Sequence, residues 1–318
     1  MSRAFISFDD FSAKGRELAA LRPVVTVGNF DGVHLGHQYL VAELIEWARR
    51  EHAPSIAVTF SVHPRELVTG NPMPALTTPE HKRRLLTELG VDAVVLVDFD
   101  RALQQRSARD FMDLYIKGRL NARAMLVGFN NRIGKDGEGT TRVLAEIGRE
   151  IGVDVREAER IEVSGHAMSS SAIRNHVAHG DFLWARKMLG RPYSIVGVVQ
   201  HGDQRGGKIG FPTANIDLAG LAFPPQGVYG VRLRLSGKNY LGAANIGTRP
   251  TVDPARTTPL LEVHVLDFSG DLYGKEVEVE FLFKVRDEQK FSGLDALKAQ
   301  LAKDVSEIRT RAAQEGLT

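Results

Sequence analysis

The chain has 318 residues, 43% of them hydrophobic, and its 41 Lys and Arg against 39 Asp and Glu leave a formal net charge of only +2. That length suits two domains, each able to bury its own core, and the near balance of charge argues against a broad nucleic-acid footprint. Cysteine is absent, which excludes disulfides, thiolate nucleophiles and thiolate metal sites. The opening MSRAFISFDDF has no basic segment followed by an apolar one, and no apolar run reaches membrane length, so the expected location is the cytoplasm.

In chain order, the first expected strand is Val24 to Val27, followed by a glycine turn at Gly28 and Asn29 and by an amphipathic stretch from Leu40 to Ala48. The joining run, GNFDGVHLGH, puts the imidazoles of His34 and His37 at a helix N-terminus, where unpaired backbone amides attract phosphate. A histidine pair at a helix start also serves capping or surface solvation. Metal ligation is a third reading, although spacing alone does not make a zinc site.

Further strands are expected at Ile56 to Phe60, Ala93 to Val97 and Ala124 to Val127. Between them, Lys82 to Leu89 and Ala108 to Leu120 carry apolar residues at helical spacing, the latter after Ser107, an N-cap residue. This alternation predicts βαβ units in a mostly parallel sheet with right-handed crossovers. The order strand, glycine turn, helix is what a nucleotide site at the end of such a sheet requires. Later comes SSSAIR, in which Ser169 to Ser171 cap a helix and Arg174 lies one turn in, within reach of a polyphosphate.

At LGRPYS, residues 189–194, helix formers give way to short strands, and the domain boundary is placed there, giving domains 1–188 and 189–318. Strands are expected at Ile195 to Val199, Val228 to Leu235, Leu241 to Ile246, Leu260 to Leu266 and Val277 to Phe283, divided by Gly, Pro and Asn turns. Such spacing predicts a small antiparallel barrel. Leu294, Leu297, Leu301, Val305 and Ile308 form the apolar stripe of a terminal helix packed against it.

Within this half, HGDQRGGKIGFPTANI, residues 201–216, is glycine-rich without being a Walker A loop. Gly202, Gly206 and Gly210 would let backbone amides approach phosphates, or would serve a mobile hairpin. The Thr213 hydroxyl and the Asn215 carbonyl, two residues apart, suit Mg²⁺, which prefers oxygen ligands. In LEVHV, Leu261, Val263 and Val265 share one strand face and Glu262 and His264 the other, so the apolar face belongs to the core.

GNFDGVHLGH and SSSAIR within one alternating domain resemble the nucleotidyltransferase superfamily, which shares an HxGH signature with class I aminoacyl-tRNA synthetases. GFPTAN, GVYGV, NIGTRPTV, LEVHVLDFSGDLYG and RDEQKF, in that order, are similar to riboflavin kinases. From about residue 20 to about 310, the chain resembles the bacterial bifunctional riboflavin kinase and FAD synthetase family. The resemblance implies an α/β plus all-β fold: a Rossmann-like nucleotidyltransferase domain with a parallel sheet, then a small antiparallel riboflavin-kinase barrel with a terminal helix. It implies two reactions, riboflavin plus ATP giving FMN, then FMN plus ATP giving FAD and pyrophosphate, with Mg²⁺ and no nucleic-acid or membrane partner.

The resemblance also implies roles. His34 and His37 would donate hydrogen bonds to ATP phosphate oxygens as charge develops on the α-phosphate, with no covalent intermediate. Gly36 would keep bulk away from the phosphates, with Gly28, Asn29 and Asn130 beside them, and Ser171 and Arg174 would hold the departing pyrophosphate. Glu262 would be the kinase base, orienting the riboflavin 5′-hydroxyl and accepting its proton late, because a carboxylate is too weak to ionise an alcohol beforehand. Thr213 and Asn215 would hold Mg²⁺, Gly202, Gly206 and Gly210 would shape the flap, and Arg286 would lie near the flavin. His264 is read as structural.

The chain departs from the family at VGFNNRIG, where Asn130 fits but Asn131 and Ile133 stand in place of two expected aromatics, and at Val62, which replaces a proline in FSVHP. Asn131 and Ile133 keep a second reading open, a working riboflavin kinase whose N-terminal domain is a non-catalytic nucleotide-binding or docking module. An RNA-charging enzyme is a third, against which the balanced charge and the barrel motifs count.

Overall fold

A computed structural model describes residues 4–7, 13–63, 66, 70–163, 166–201, 210–250 and 257–317. By contacts the chain forms two units, Met1–Ser170 and Ser171–Thr318.

The first unit is an α/β layer structure. Its strands are β1 (Ala4–Ser7), β2 (Val24–Val27), β3 (Ser55–Phe60), β4 (Ala93–Val97), β5 (Ala124–Val127) and β6 (Asp154–Glu157), all parallel in the order β1-β4-β3-β2-β5-β6. The helices are α1 (Ala13–Ala20), α2 (Leu35–Arg50), α3 (Pro79–Leu89), α4 (Arg101–Gln104), α5 (Ala108–Phe111, continued as a π-helix over Met112–Arg119) and α6 (Thr141–Ile151). A two-stranded ribbon, β7 (Glu162–Val163) with β8 (His166–Ala167), follows.

Strands β2 and β5 are buried at every position because helices cover both faces of a parallel sheet, which is why they read as continuous apolar runs. Strand β6, DVRE, is a mostly exposed edge and gave no such run. Two apolar clusters lie on the two sides of the sheet, one around Val25, Met112 and Met125, the other around Val24, Leu44 and Leu126. After β2 the next strands run outward to β3 and β4, whereas β5 and β6 lie on the opposite side. The sheet therefore reverses direction between β2 and β5, and crevices at the carboxyl ends of such strands bind ligands.

The second unit contains most of α7 (Ser170–Ala178), α8 (Phe182–Leu189), and strands β9 (Ser194–Val198), β10 (Ala214–Asp217), β11 (Gly227–Leu235), β12 (Lys238–Pro250), β13 (Thr257–Val265) and β14 (Glu276–Arg286), ending in α9 (Leu294–Gln314). The antiparallel order is β10-β13-β12-β11-β14-β9. An antiparallel bridge between Gln200 and Asn215, with Gln200 N–H donating to the Asn215 carbonyl at 2.8 Å, joins the two end strands into the expected barrel.

Two features add to the expectations. By contacts, residues 171–188 group with the barrel and not with the α/β layer, because buried Phe182 stacks on Phe281 at 5.5 Å and meets Tyr229 edge-on at 5.7 Å. In α9 Ile308 is fully buried, but Leu294 at the helix start is 64% exposed, so the packed stripe begins later than its periodicity suggests.

Candidate active sites

The turn between β2 and α2 is strained and heavily braced. Phe30 (φ 50), Gly32 (φ 78) and Val33 (φ 41) all lie in left-handed backbone, a conformation a β-branched valine adopts only when its surroundings impose it. The bracing comes from Asp31, which is 3% exposed. Its carboxylate accepts hydrogen bonds from the backbone N–H of Leu76 (2.9 Å) and Thr77 (3.1 Å) and from the Thr77 hydroxyl (3.2 Å), while Thr77 Oγ1 accepts from Gly32 N–H at 3.1 Å. Ser170 donates its hydroxyl to the Asp31 carbonyl at 2.9 Å.

This turn delivers the histidines. His34 is the N-cap of α2, and its Nδ1 accepts the His37 N–H at 3.3 Å. The two rings stack with centroids 3.6 Å apart and planes 16° apart, and the Phe30 ring meets His37 edge-on at 5.2 Å. Burial, then the fields of His34 and Lys82, hold the His37 pKa well below its ordinary value, so the ring is neutral at pH 7. His37 Nδ1 is buried and has no hydrogen-bond partner among the described residues. Capping is thus one real job of His34, while no third metal-ligating side chain joins the pair among the described residues.

The histidines line a cleft of about 1000 Å³ at the point where the sheet reverses, walled by Gly28 and Asn29 after β2, Asn130 after β5 and Arg160 after β6. A Cβ on Gly36 would stand 3.2 Å from the His34 ring and 3.3 Å from Met168 Cβ, so the cleft wall admits no side chain there without a shift. A second cleft, about 490 Å³, shares Gly28, Asn29 and Asn131 with the first and is walled by Phe60, Phe99, Phe111 and Ile133. Sequence reasoning missed this cleft, because its aromatic rings come from separate segments with no shared motif.

The two departing residues have definite work here. Asn131 Nδ2 donates to the Val27 carbonyl at 2.7 Å, tying the loop after β5 to the end of β2, and Ile133, 8% exposed, packs into the core beneath the second cleft. Ser171 and Arg174 lie on α7 in the second unit, with Arg174 Nη1 3.5 Å from Ser171 Oγ.

In the barrel, Leu261, Val263 and Val265 are buried, while Glu262 and His264 are half-buried on the other face. Glu262 stands opposite Asn215 of β10 and opposite Asn245 of β12, and residues paired in this way across strands present side chains on one face. Glu262, Asn215 and Asn245 therefore form a polar row across three strands. Thr213 just precedes β10, and Asn215 Nδ2 donates to its carbonyl at 3.3 Å. Asn245 lies within NIGTRPTV, and nothing in one sequence marks it out, since strand register is invisible there. His264 Nδ1 lies 2.9 Å from the Pro212 carbonyl and tethers the segment before β10. Gly210 has φ 88 and open space around it, whereas Gly202 and Gly206 lie outside the described residues.

Arg286, expected near the flavin, has a structural partner that the sequence does not show. Its guanidinium makes a fork to the Asp304 carboxylate at 2.8 to 3.1 Å, with Asp304 2% and Arg286 14% exposed, so the pair fastens β14 to α9. A bidentate guanidinium–carboxylate pair of this kind fixes the guanidinium's orientation.

Comparisons with known proteins agree with this layout. The FAD synthetase family matches residues 18–172 and the riboflavin kinase family residues 189–312. The bifunctional riboflavin kinase/FMN adenylyltransferase of Escherichia coli (strain K12) is 43% identical over 284 residues, covering 88% of this chain and 90% of the relative. The chain belongs to the bifunctional riboflavin kinase/FMN adenylyltransferase family. Other members of that family include the Pseudomonas fluorescens protein, 39% identical over 94% of this chain and 97% of its own, and the Bacillus subtilis protein, 36% identical over 90% and 91%. A solved structure titled as a macrolide-efflux protein from Streptococcus pneumoniae superposes with a TM-score of 0.80 at 30% identity, covering 96% of this chain and 98% of that one. Among the described residues of this family member no helix is long and apolar enough to cross a membrane.

Proposed function

We propose that the enzyme divides its two reactions between 1–188, which adenylylates FMN to FAD with release of pyrophosphate, and 189–318, which phosphorylates riboflavin to FMN with ATP. The observation that carries the first assignment is the stacked histidine pair at the sheet reversal, in a cleft that shares its Gly28 and Asn29 wall with an aromatic one. ATP occupies the larger cleft and the flavin ring the smaller, so the FMN phosphate reaches the α-phosphorus across the shared wall. His34 and His37 donate to phosphate oxygens as the bond to pyrophosphate lengthens, and their burial makes that donation count for more than it would in water.

In the barrel, Glu262 orients the riboflavin 5′-hydroxyl toward the γ-phosphate and takes its proton late in the transfer. The Thr213 hydroxyl and the Asn215 amide oxygen are the hard oxygen donors that Mg²⁺ accepts, and Asn215 is held by its bond to the Thr213 carbonyl. Bound with ATP, Mg²⁺ would offset charge on the phosphates. Arg286 lies near the flavin, its guanidinium oriented by the Asp304 pair that also fixes α9. Substrates and products are riboflavin, FMN, FAD, ATP, ADP and pyrophosphate, and the enzyme works in the cytoplasm.

Paired variants test the division. Glu262→Gln is expected to abolish FMN formation and spare FAD formation from supplied FMN, and His37→Ala to do the reverse. Loss of both activities in either variant, correctly folded by circular dichroism, overturns the two-site assignment.

A further inference from the structure

Lys82 is not part of any motif singled out in the sequence, yet it is buried, 5% exposed, and hydrogen-bonds to Asn29, which lines both N-terminal clefts. From the second turn of α3 its ammonium donates to the Asn29 carbonyl at 2.9 Å and to the Phe60 carbonyl at 2.8 Å. These carbonyls stand at the carboxyl ends of the neighbouring strands β2 and β3, where the sheet ladder has run out. The Asn29 carbonyl also accepts the Thr59 hydroxyl at 3.1 Å, so both its lone pairs are engaged away from the larger cleft.

A trans peptide points its C=O and N–H in opposite directions, and no cis peptide bond occurs among the described residues. Holding the Asn29 carbonyl inward therefore turns the Phe30 N–H outward, on the side of the cleft that Asn29 and Phe30 line. We infer that Lys82 is a positioning residue for adenylyl transfer, locking the Asn29–Phe30 peptide so that its N–H faces the ATP phosphates and adding a positive charge behind that peptide. This rests on the reading of the histidine cleft as the adenylyl-transfer site.

Burial lowers the Lys82 pKa to about 8, with the Asp31 carboxylate opposing the shift. Charged and titratable groups facing it are Asp31 on the strained turn and His37, stacked on His34, on α2. His37 is already neutral above pH 7, so Lys82 is the group here that changes charge between pH 7 and pH 9.

The test uses the full chain with three variants, Lys82→Met, Lys82→Arg and His37→Ala, assayed for FAD formation from FMN and, as a fold control, for FMN formation from riboflavin. Lys82→Met is expected to lower kcat for FAD formation at least tenfold with the ATP KM changed less than threefold and FMN formation unchanged. The kcat/KM for ATP of Lys82→Arg, divided by that of the wild type, is expected to rise as pH passes through about 8, because arginine keeps its charge. A wild-type kcat in Lys82→Met, or a ratio flat with pH, overturns the inference; the Lys82→Arg profile stands even where Lys82→Met does not fold. FAD formation surviving in His37→Ala would instead remove the underlying site reading.

Discussion

At the residue scale the N-terminal site is governed by burial acting on ionisable groups. His37 is held neutral in the folded chain, its pKa below the ordinary 6.5. Below that pH the unfolded chain binds a proton that the folded chain excludes, so folding stability is lost as pH falls through 6.5. Melting temperatures between pH 7.5 and 5.5 should drop in the wild type and drop less in His37→Asn; equal slopes would contradict the neutral assignment. Asn131 makes a second residue-scale claim. Asn131→Ala removes its bond to the Val27 carbonyl and is expected to cost about 1 kcal/mol and raise the KM for FMN, whereas an unchanged KM would make the residue a bystander.

His34 and His37 were legible in the sequence because a strand, a glycine and a helix start bracket them. Asp31 and Lys82 were not. An aspartate within GNFDG and a lysine on an amphipathic helix look solvated until tertiary structure buries both under the same turn. Asn131 and Ile133 were legible as departures but not as replacements with work of their own.

At the scale of elements, apolar runs marked the inner parallel strands and alternation marked the barrel strands. What was missed follows a physical pattern: β1 is a short edge strand, β6 is polar and exposed, and β10 is the four-residue end of a motif read for its chemistry. The junction of β14 and α9 was not legible either, since Arg286 pairs with a residue 18 positions later. Asp304→Ala leaves that guanidinium buried without its carboxylate and is expected to destabilise the barrel by roughly 3–5 kcal/mol. Chemical denaturation followed by intrinsic fluorescence checks this, and a loss below about 1 kcal/mol would mean that the pair is solvated and of the surface kind.

At the scale of the whole molecule, two units carry two chemistries, and their tandem order was readable because each has its own motif set and its own strand period. The exact seam was less readable. Residues 173–188 fall between the two family matches, and the helices there group with the barrel through Phe182, a contact no local pattern announces. The measurement that tests the central claim most directly follows flavins by chromatography in two reactions with Mg²⁺ and excess ATP, one started from riboflavin and one from FMN. FAD appearing in both, with FMN rising and falling in the first, is the predicted result. FMN accumulating in the first with none converted in the second would contradict it, and would leave the histidine cleft without its reaction.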